Sequence, residues 1–363
     1  MTLATLLNPA ILFFLLGLVA GLVKSSLRLP EGLSKTLSLY LMIAIGLRGG
    51  VELAHVGLDG SALLAVGVAL LLSLGLPVVA HNLLRLTTPL DRQERASIAA
   101  HYGSVSVVTF AAAIAMLQRE SRVFEPYMIG LLAVMEAPAI VTGLTLARAN
   151  QEPPAEGSKS SSLGAQLVQH VFLHGSIVLL LGSFTIGWLI GPRGLGELQG
   201  AFVVPFQGAL CIFLLDMGLV VAERTADLKK LRPSVMAFGV YMPLIGAALG
   251  LSAGHLLGLS VGGMTLLAVL AASASYIVVP AVMRSALPSA SPALSLSLAL
   301  GVTFPFNVTV GIPLYKAAAS ALSTPEQRRS EALGDAPPPA PLEAPVAPSS
   351  APRAEVRVSG LAR

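Results

Sequence analysis

Long apolar stretches, separated by short clusters of charged and polar residues, dominate the chain. An α-helix needs roughly 20 mostly apolar residues to cross the hydrocarbon core of a bilayer, and ten stretches approach that length. The second is the weakest, because Arg48 and Glu52 interrupt it. The pattern predicts an all-α polytopic membrane protein with ten transmembrane helices. The ten stretches cover 8–23, 33–54, 61–84, 96–117, 126–147, 170–191, 200–222, 234–257, 262–283 and 293–316.

The composition supports this interpretation and excludes several classes of protein. Of 363 residues, 54% are hydrophobic and only 12% are charged, against about 25% charged residues in a typical soluble domain. The net charge of +4 does not require nucleic acid as a partner, because Lys and Arg in cytoplasmic loops produce such an excess. Cys211 is the only cysteine, so no internal disulfide can form. A soluble enzyme, a nucleic-acid-binding protein and a secreted disulfide scaffold are therefore excluded.

The sequence contains no motif for catalysis or for a bound metal. Neither a P-loop nor an intramembrane protease motif occurs. His170 and His174 share a helix face, but no Glu lies between them and no third ligand accompanies them. The sequence therefore predicts that the protein is not an enzyme and has no metal centre and no bound cofactor.

The ten stretches fall into two groups of five. The first group lies in 1–147 and the second in 169–318. Between them, 148–168 is polar and rich in Pro, Gly and Ser, which is typical of a linker loop. Residues 319–363 are rich in Pro and Ala and contain little that could form a packed core, so we expect a disordered tail.

The distribution of Lys and Arg predicts the orientation. With both termini outside, the cytoplasmic loops hold thirteen Lys and Arg, and the outer loops hold four, namely Arg48, Arg119, Arg122 and Arg193. Cytoplasmic loops are normally enriched in basic residues. We therefore expect a multi-pass protein of the inner (plasma) membrane with both termini outside.

The two groups of five stretches resemble one another. Three short matches occur in the same order at offsets of 172, 170 and 167 residues, which favours duplication over chance. Because five crossings is an odd number, the second copy must enter the membrane from the opposite side. Inverted repeats of this kind are typical of secondary transporters, which bind substrate near the midplane where the repeats meet. The matches are Gly46-Leu47 with Gly218-Leu219, Gly103–Leu117 with Ser273–Leu287, and Pro138–Thr142 with Pro305–Thr309.

Polar clusters lie at equivalent positions of the fourth and ninth stretches. Pro280 has no N–H to bond the carbonyl of Tyr276, which predicts a break in the ninth helix. A broken helix at membrane depth offers N–H groups to an anion, and its carbonyls and nearby hydroxyls can hold sodium. The alternative is that the hydroxyls bond their own backbone or join neighbouring helices. The equivalent placement favours a substrate site formed by Ser104, Ser106, Thr109, Ser273, Ser275 and Tyr276.

A carboxylate lies in the middle of the fifth stretch. Glu136 is costly to bury at this depth, so it should face the interior of the bundle. Asn307 occupies a nearby position in the equivalent tenth stretch. The two residues are the candidates for binding a coupling ion. The sequence leaves open whether Glu136 binds a cation, transfers a proton or only holds helices together.

At these residues the sequence resembles the cyanobacterial sodium-dependent bicarbonate transporter family and its wider bacterial relatives. The resemblance implies ten spans in a five-plus-five inverted repeat, a core domain that moves substrate past a gate domain, and a homotrimer. It also implies bicarbonate between the breaks of the fourth and ninth segments, sodium beside it, and in some members a PII-like regulatory protein on the cytoplasmic face. The matching stretches are Ile45–Gly50, Gly103–Ala113, Met135–Thr142, Ala271–Ser275, Pro280, Leu287–Ala290 and Ile312–Leu314.

The sequence departs from the family pattern at both breaks. The family has a Ser-Ser-Ser-Asp run where this chain has Ser273-Ala274-Ser275-Tyr276, so an acid expected to attract sodium is missing. A Ser-Gly-Ser-Thr pattern becomes Ser106-Val107-Val108-Thr109, and Val does not allow the close backbone approach that Gly allows. Glu136 stands where the family usually has Asp, so that acid is retained.

Three functions remain open from the sequence. The first is an elevator-like secondary transporter of bicarbonate or a similar small anion, with sodium as the candidate coupling ion. The second is a degenerate transporter fold that senses or scaffolds without transport, which the apolar substitutions favour. The third is a proton-coupled carrier of a small organic acid, in which Tyr276, Val278 and Val279 would line a less polar pocket.

Overall fold

Helices account for the regular secondary structure of the described residues. The computed structural model describes 8–30, 32–56, 60–136, 138–148, 175–228, 231–287 and 289–324, and within these ranges there is no strand. The helices are α1 Pro9–Leu22, α2 Leu33–Val56, α3 Gly60–Thr87, α4 Arg92–Gly103, α5 Val107–Arg119, α6 Met128–Glu136, α7 Pro138–Arg148, α8 Gly175–Glu197, α9 Phe206–Glu223, α10 Thr225–Leu228, α11 Pro233–Leu256, α12 Val261–Ala272, α13 Val278–Ala286 and α14 Pro292–Leu322.

Three π-helical turns occur in this framework. One, Gln199–Val203, precedes α9, and two others, Ala299–Thr303 and Asn307–Gly311, lie within α14. A π-turn inserts one extra residue into a helical ladder and is frequent at functional sites. The two turns in α14 flank Phe304–Phe306, in which the Phe304 ring contacts the ring of Tyr276.

Eight helical segments are long and apolar enough to cross a membrane. Two shorter apolar helices, Pro9–Leu22 and Val261–Ala272, accompany them. The prediction of a polytopic all-helical membrane protein is confirmed at this level. The eight segments are Leu33–Ala54, Gly60–Thr87, Arg92–Arg119, Met128–Arg148, Val178–Glu197, Gln199–Glu223, Pro233–Leu256 and Pro292–Leu322.

The predicted linker and tail fall largely outside the described residues. Residues 149–174, which include most of the linker and the start of the sixth stretch, are not described, and neither are 325–363. Helix α14 runs to Leu322, so the first four residues of the predicted tail are helical. The Ala-rich sequence of 317–321 explains this, because alanine has the highest helix propensity.

Close helix pairs that use glycine form one part of the fold. Helix α1 packs along α9, and α2 packs along α8. At Gly17 and Gly218 a Cβ would collide with the backbone of the opposite helix in the first pair, and at Gly50 and Gly187 it would do so in the second. Small residues of this kind allow transmembrane helices to approach closely. Glycine therefore sets the spacing of both pairs.

The polar breaks lie in the buried interior. The apolar window of Arg92–Arg119, which spans α4 and α5, is buried throughout, and so is every residue of α12. Helix α3 packs on α4, α11 packs on α12, and α7 packs on α4. The segments that carry the predicted site are therefore surrounded by other helices and are kept away from lipid.

Candidate functional site

The first break lies between α4 and α5. Helix α4 ends at Gly103, and Ser104 continues in an extended conformation. Ser106 caps the start of α5, because its Oγ accepts a hydrogen bond from the Thr109 backbone N–H at 3.2 Å. The Thr109 hydroxyl donates to the same Oγ at 2.9 Å. Ser106 is therefore the N-cap residue of α5, because its hydroxyl oxygen accepts from a backbone N–H of the first helical turn.

The second break lies between α12 and α13. Helix α12 ends at Ala272, Ser273 is extended, and α13 begins at Val278. Pro280 is the third residue of α13, where its missing N–H costs little because first-turn N–H groups have no intrahelical acceptor. The Ser273 hydroxyl donates to the Leu270 carbonyl at 3.0 Å. No side-chain cap occupies the start of α13, in contrast to the start of α5.

The structure brings the two breaks together. The Ser106 backbone N–H donates to Ser273 Oγ at 3.0 Å, and the Ser275 backbone N–H donates to the His101 carbonyl at 2.8 Å. Residues about 170 positions apart in sequence are thereby joined twice. Helices α5 and α13 consequently both begin next to these hydrogen bonds.

The predicted substrate residues are sealed from solvent. Ser104, Ser106, Thr109, Ser273 and Ser275 are each at most 4% exposed. In this conformation these five side chains are therefore shielded from water.

Tyr276 packs beside the second break. Its ring is partly buried and packs edge-on against Phe304, with ring centroids 5.7 Å apart. Its hydroxyl is buried close to Ser106 but does not reach hydrogen-bond geometry with any described residue. The phenol is therefore a spare donor beside the two breaks.

Glu136 is buried at the end of α6 with an unused oxygen. The residue is 2% exposed, and its Oε2 has no hydrogen-bond partner among the described residues. The Ser104 hydroxyl donates to the Glu136 backbone carbonyl at 3.1 Å, so this acid lies directly behind the first break. A buried ionised carboxylate without a partner is expensive. A cation or a proton at this oxygen would offset that cost.

Asn307 occupies the corresponding place behind the second break. Its amide nitrogen donates to the carbonyl of Ala272, the last residue of α12, at 2.8 Å. Its Oδ1 accepts from the Tyr315 hydroxyl at 2.8 Å. Asn307 thus fixes the end of α12, and its amide oxygen is already engaged.

Two side chains at the site lie outside the predicted substrate and coupling-ion residues. The Ser73 hydroxyl on α3 donates to the Met135 carbonyl at 2.7 Å and accepts from the Ala139 N–H at 3.2 Å, replacing the helical bond lost between α6 and α7. His101 is buried, and its Nδ1 lies 2.8 Å from the Ser97 carbonyl, which assigns the proton to Nδ1. The His101 Nε2 is left without a partner among the described residues. A lone Ser in an apolar stretch gives no sequence signal for such a role.

The site thus combines two helix starts with three unpaired buried groups. Those groups are a carboxylate oxygen, an imidazole nitrogen and a phenol hydroxyl, contributed by Glu136, His101 and Tyr276. Among the described residues no cluster of three or more His, Cys, Asp or Glu could hold a metal ion. The arrangement can bind a small polar solute by hydrogen bonds.

Comparison with known families identifies the chain. A family model described as the Na+-dependent bicarbonate transporter superfamily matches residues 9–320. The chain belongs to this superfamily. The match encloses both breaks and all eight predicted site residues. No curated protein matches the chain. Membership in the superfamily implies a multi-pass membrane protein that transports bicarbonate or another ion, rather than an enzyme.

Proposed function

We propose that the protein is a secondary transporter of bicarbonate or a similar small anion. The observation that carries the proposal is the hydrogen-bonded pair of helix breaks in a member of this superfamily. Two helices start at this point, and helix N-termini favour anions through their unpaired N–H groups and their dipoles. A small oxyanion satisfies such donors with little strain.

The substrate site is proposed at Ser104, Ser106, Thr109, Ser273, Ser275 and Tyr276. Within it, the anion lies closer to α13 than to α5. The first-turn donors of α13 lack a side-chain cap, whereas Ser106 already occupies the start of α5. The Tyr276 hydroxyl is available as an additional donor.

Sodium is proposed as the co-transported ion, as the superfamily description suggests. Glu136 is its candidate ligand because its Oε2 is buried and unpaired. Asn307 would contribute indirectly, since its amide oxygen accepts from Tyr315 and its nitrogen holds the Ala272 carbonyl. That carbonyl, at the end of α12, is itself a candidate cation ligand.

Ten crossings in a five-plus-five inverted repeat are proposed for the architecture, with broken fourth and ninth segments. The reciprocal packing of α1 on α9 and of α2 on α8 supports this, because a two-fold relation pairs first with seventh and second with sixth segments. These four helices would form the gate, and the remainder a core that moves past it. A homotrimer, both termini outside the inner membrane and a PII-like cytoplasmic regulator are proposed from the resemblance alone.

Uptake by reconstituted protein tests the proposed site. Proteoliposomes should accumulate labelled bicarbonate under an inward sodium gradient, and Ser275→Ala and Ser106→Ala should each abolish uptake. Ser38→Ala is the matched control, since Ser38 is a buried serine of α2 whose hydroxyl has no hydrogen-bond partner among the described residues. Unchanged uptake in both site variants would reject the assignment of these residues.

A non-transporting sensor or scaffold is the second candidate. It is favoured by one observation: the hydroxyls of Ser106, Thr109 and Ser273 are all consumed by internal hydrogen bonds. This candidate predicts that the folded protein accumulates no bicarbonate with or without a sodium gradient. Accumulation in either condition would exclude it.

A further inference from the structure

The imidazole of His101 is a buried group at the breaks that the proposed transport does not use. His101 lies in the last turn of α4 and is 1% exposed. Its backbone carbonyl accepts the Ser275 N–H at 2.8 Å, so the residue is bonded directly to the second break. Its ring nitrogen Nε2 is buried and has no hydrogen-bond partner among the described residues. Buried polar atoms are normally paired, so the unpaired Nε2 indicates a partner from outside the chain.

The hydrogen bond at the other ring nitrogen defines what Nε2 can do. The His101 Nδ1 lies 2.8 Å from the Ser97 carbonyl oxygen. A carbonyl oxygen only accepts, so Nδ1 carries the proton. A second proton on Nε2 would bury a positive charge on a ring that bonds to no carboxylate of the described residues, which is costly. The ring is therefore neutral, and Nε2 presents a lone pair that accepts a hydrogen bond.

The His101 side chain lies toward α13 and α14. Ser97, one turn earlier on the same face of α4, has its hydroxyl 3.3 Å from the Ser295 hydroxyl of α14. On the adjacent face, Ala100 belongs to an apolar cluster with Val278, the first residue of α13. Residues four apart share a helix face, so the imidazole lies on the side of α4 that faces α14 and the start of α13.

Hydrogen-bond donors surround the start of α13. Its first-turn N–H groups have no side-chain cap, and the Tyr276 hydroxyl is buried and unpaired. Donors of this kind favour any small anion. The His101 Nε2 differs from them, because a lone pair requires a hydrogen on the solute. A solute that satisfies the whole set is therefore an anion that also carries a hydroxyl group.

We propose that His101 selects a hydroxyl-bearing anion by accepting a hydrogen bond from its O–H group at Nε2. The inference rests on the proposed transport of bicarbonate, in which two oxygens share the negative charge and the third carries a hydrogen. Nitrate has the same charge and planar shape but no hydrogen, so it would leave Nε2 buried without a partner. Sites that hydrogen-bond a substrate hydroxyl reject analogues without it for this reason.

Competition by nitrate in the wild-type protein is the first test. Proteoliposomes take up labelled bicarbonate in the presence of nitrate, and the inhibition constant of nitrate is compared with the KM for bicarbonate. The inhibition constant should exceed the KM at least about tenfold, which is the worth of one hydrogen bond left unmade. Nitrate that binds as tightly as bicarbonate would overturn the proposal without any substitution.

Substitution of the ring is the second test. His101→Met removes the acceptor and keeps a side chain of similar size, so the KM for bicarbonate should rise about tenfold while the inhibition constant of nitrate does not rise. His101→Gln should keep a KM near that of the wild type, because its amide oxygen can accept. His81→Met is the matched control, since His81 is a buried histidine of α3 that also has an unpaired ring nitrogen.

Three outcomes with the variants would overturn the role of His101 and leave the proposed transport standing. The first is an unchanged KM in His101→Met. The second is a nitrate inhibition constant that rises by the same factor as the KM, as a merely structural role would produce. The third is a KM as high in His101→Gln as in His101→Met. Folded wild-type protein that takes up no bicarbonate would instead refute the proposed transport, and this inference with it.

Discussion

Ser273→Ala should destabilise the protein by removing one of the two hydrogen bonds that join the breaks. The substitution removes the acceptor of the Ser106 N–H and leaves that donor buried without a partner. An interhelical hydrogen bond in a membrane protein contributes about 0.6 kcal/mol on average. Leaving one buried partner unsatisfied costs more, about 1–3 kcal/mol. The cost of about 1–3 kcal/mol applies here, because the substitution deletes the acceptor hydroxyl and leaves the Ser106 N–H in place. At roughly 2 °C per kcal/mol for a chain of this length, the apparent Tm should fall by about 2–6 °C.

The single cysteine provides the assay. Cys211 is buried and free, so a thiol-reactive fluorescent dye reports unfolding from one position. Ser297→Ala is the matched control, since Ser297 is buried in α14 and its hydroxyl has no hydrogen-bond partner among the described residues. The control should leave Tm unchanged. If Ser273→Ala lowers Tm no more than Ser297→Ala does, the inferred connection between the breaks does not contribute to stability.

Two further substitutions separate function from packing. Glu136→Gln removes the unpaired buried carboxylate. Bicarbonate uptake should therefore fall at least tenfold, while Tm stays the same or rises because no buried charge is left without a partner. Retained sodium-driven uptake would show that this acid does not bind the coupling ion. Gly218→Val places a Cβ against the Phe14 carbonyl oxygen of α1, so the overpacked pair should lose at least about 1–3 kcal/mol of stability, measured as a lower Tm in the same dye assay. An unchanged Tm would contradict the close packing of α1 and α9.

Local sequence pattern predicted the helical framework well. The second stretch, 33–54, coincides with a candidate span although Arg48 and Glu52 interrupt it. Hydropathy succeeds here because the need to satisfy backbone groups in lipid leaves helices as the local solution. Pro280 is the third residue of α13, where its missing N–H costs little because first-turn N–H groups have no intrahelical acceptor.

Long-range partners could not be predicted from local pattern. Ser73 supports the junction of α6 and α7 from a different helix, and nothing in its apolar surroundings marks it. The sequence placed Glu136 and Asn307 together as candidates for one ion site. The fold puts them behind different breaks, and the Tyr315 hydroxyl already occupies the Asn307 oxygen. Such contacts depend on which helices pack together, which hydropathy and proline positions do not specify.

Counterflow of bicarbonate tests the central claim most directly, because it requires a carrier but no particular coupling ion. Proteoliposomes are loaded with unlabelled bicarbonate at alkaline pH, where little CO2 forms, and are diluted into a trace of labelled bicarbonate. A transporter predicts transient accumulation of label inside the vesicles, above that in protein-free liposomes and absent in Ser275→Ala. The dye assay at Cys211 shows whether the protein in the vesicles is folded. If it is folded and the internal label never exceeds the level in protein-free liposomes, the proposed transport is contradicted.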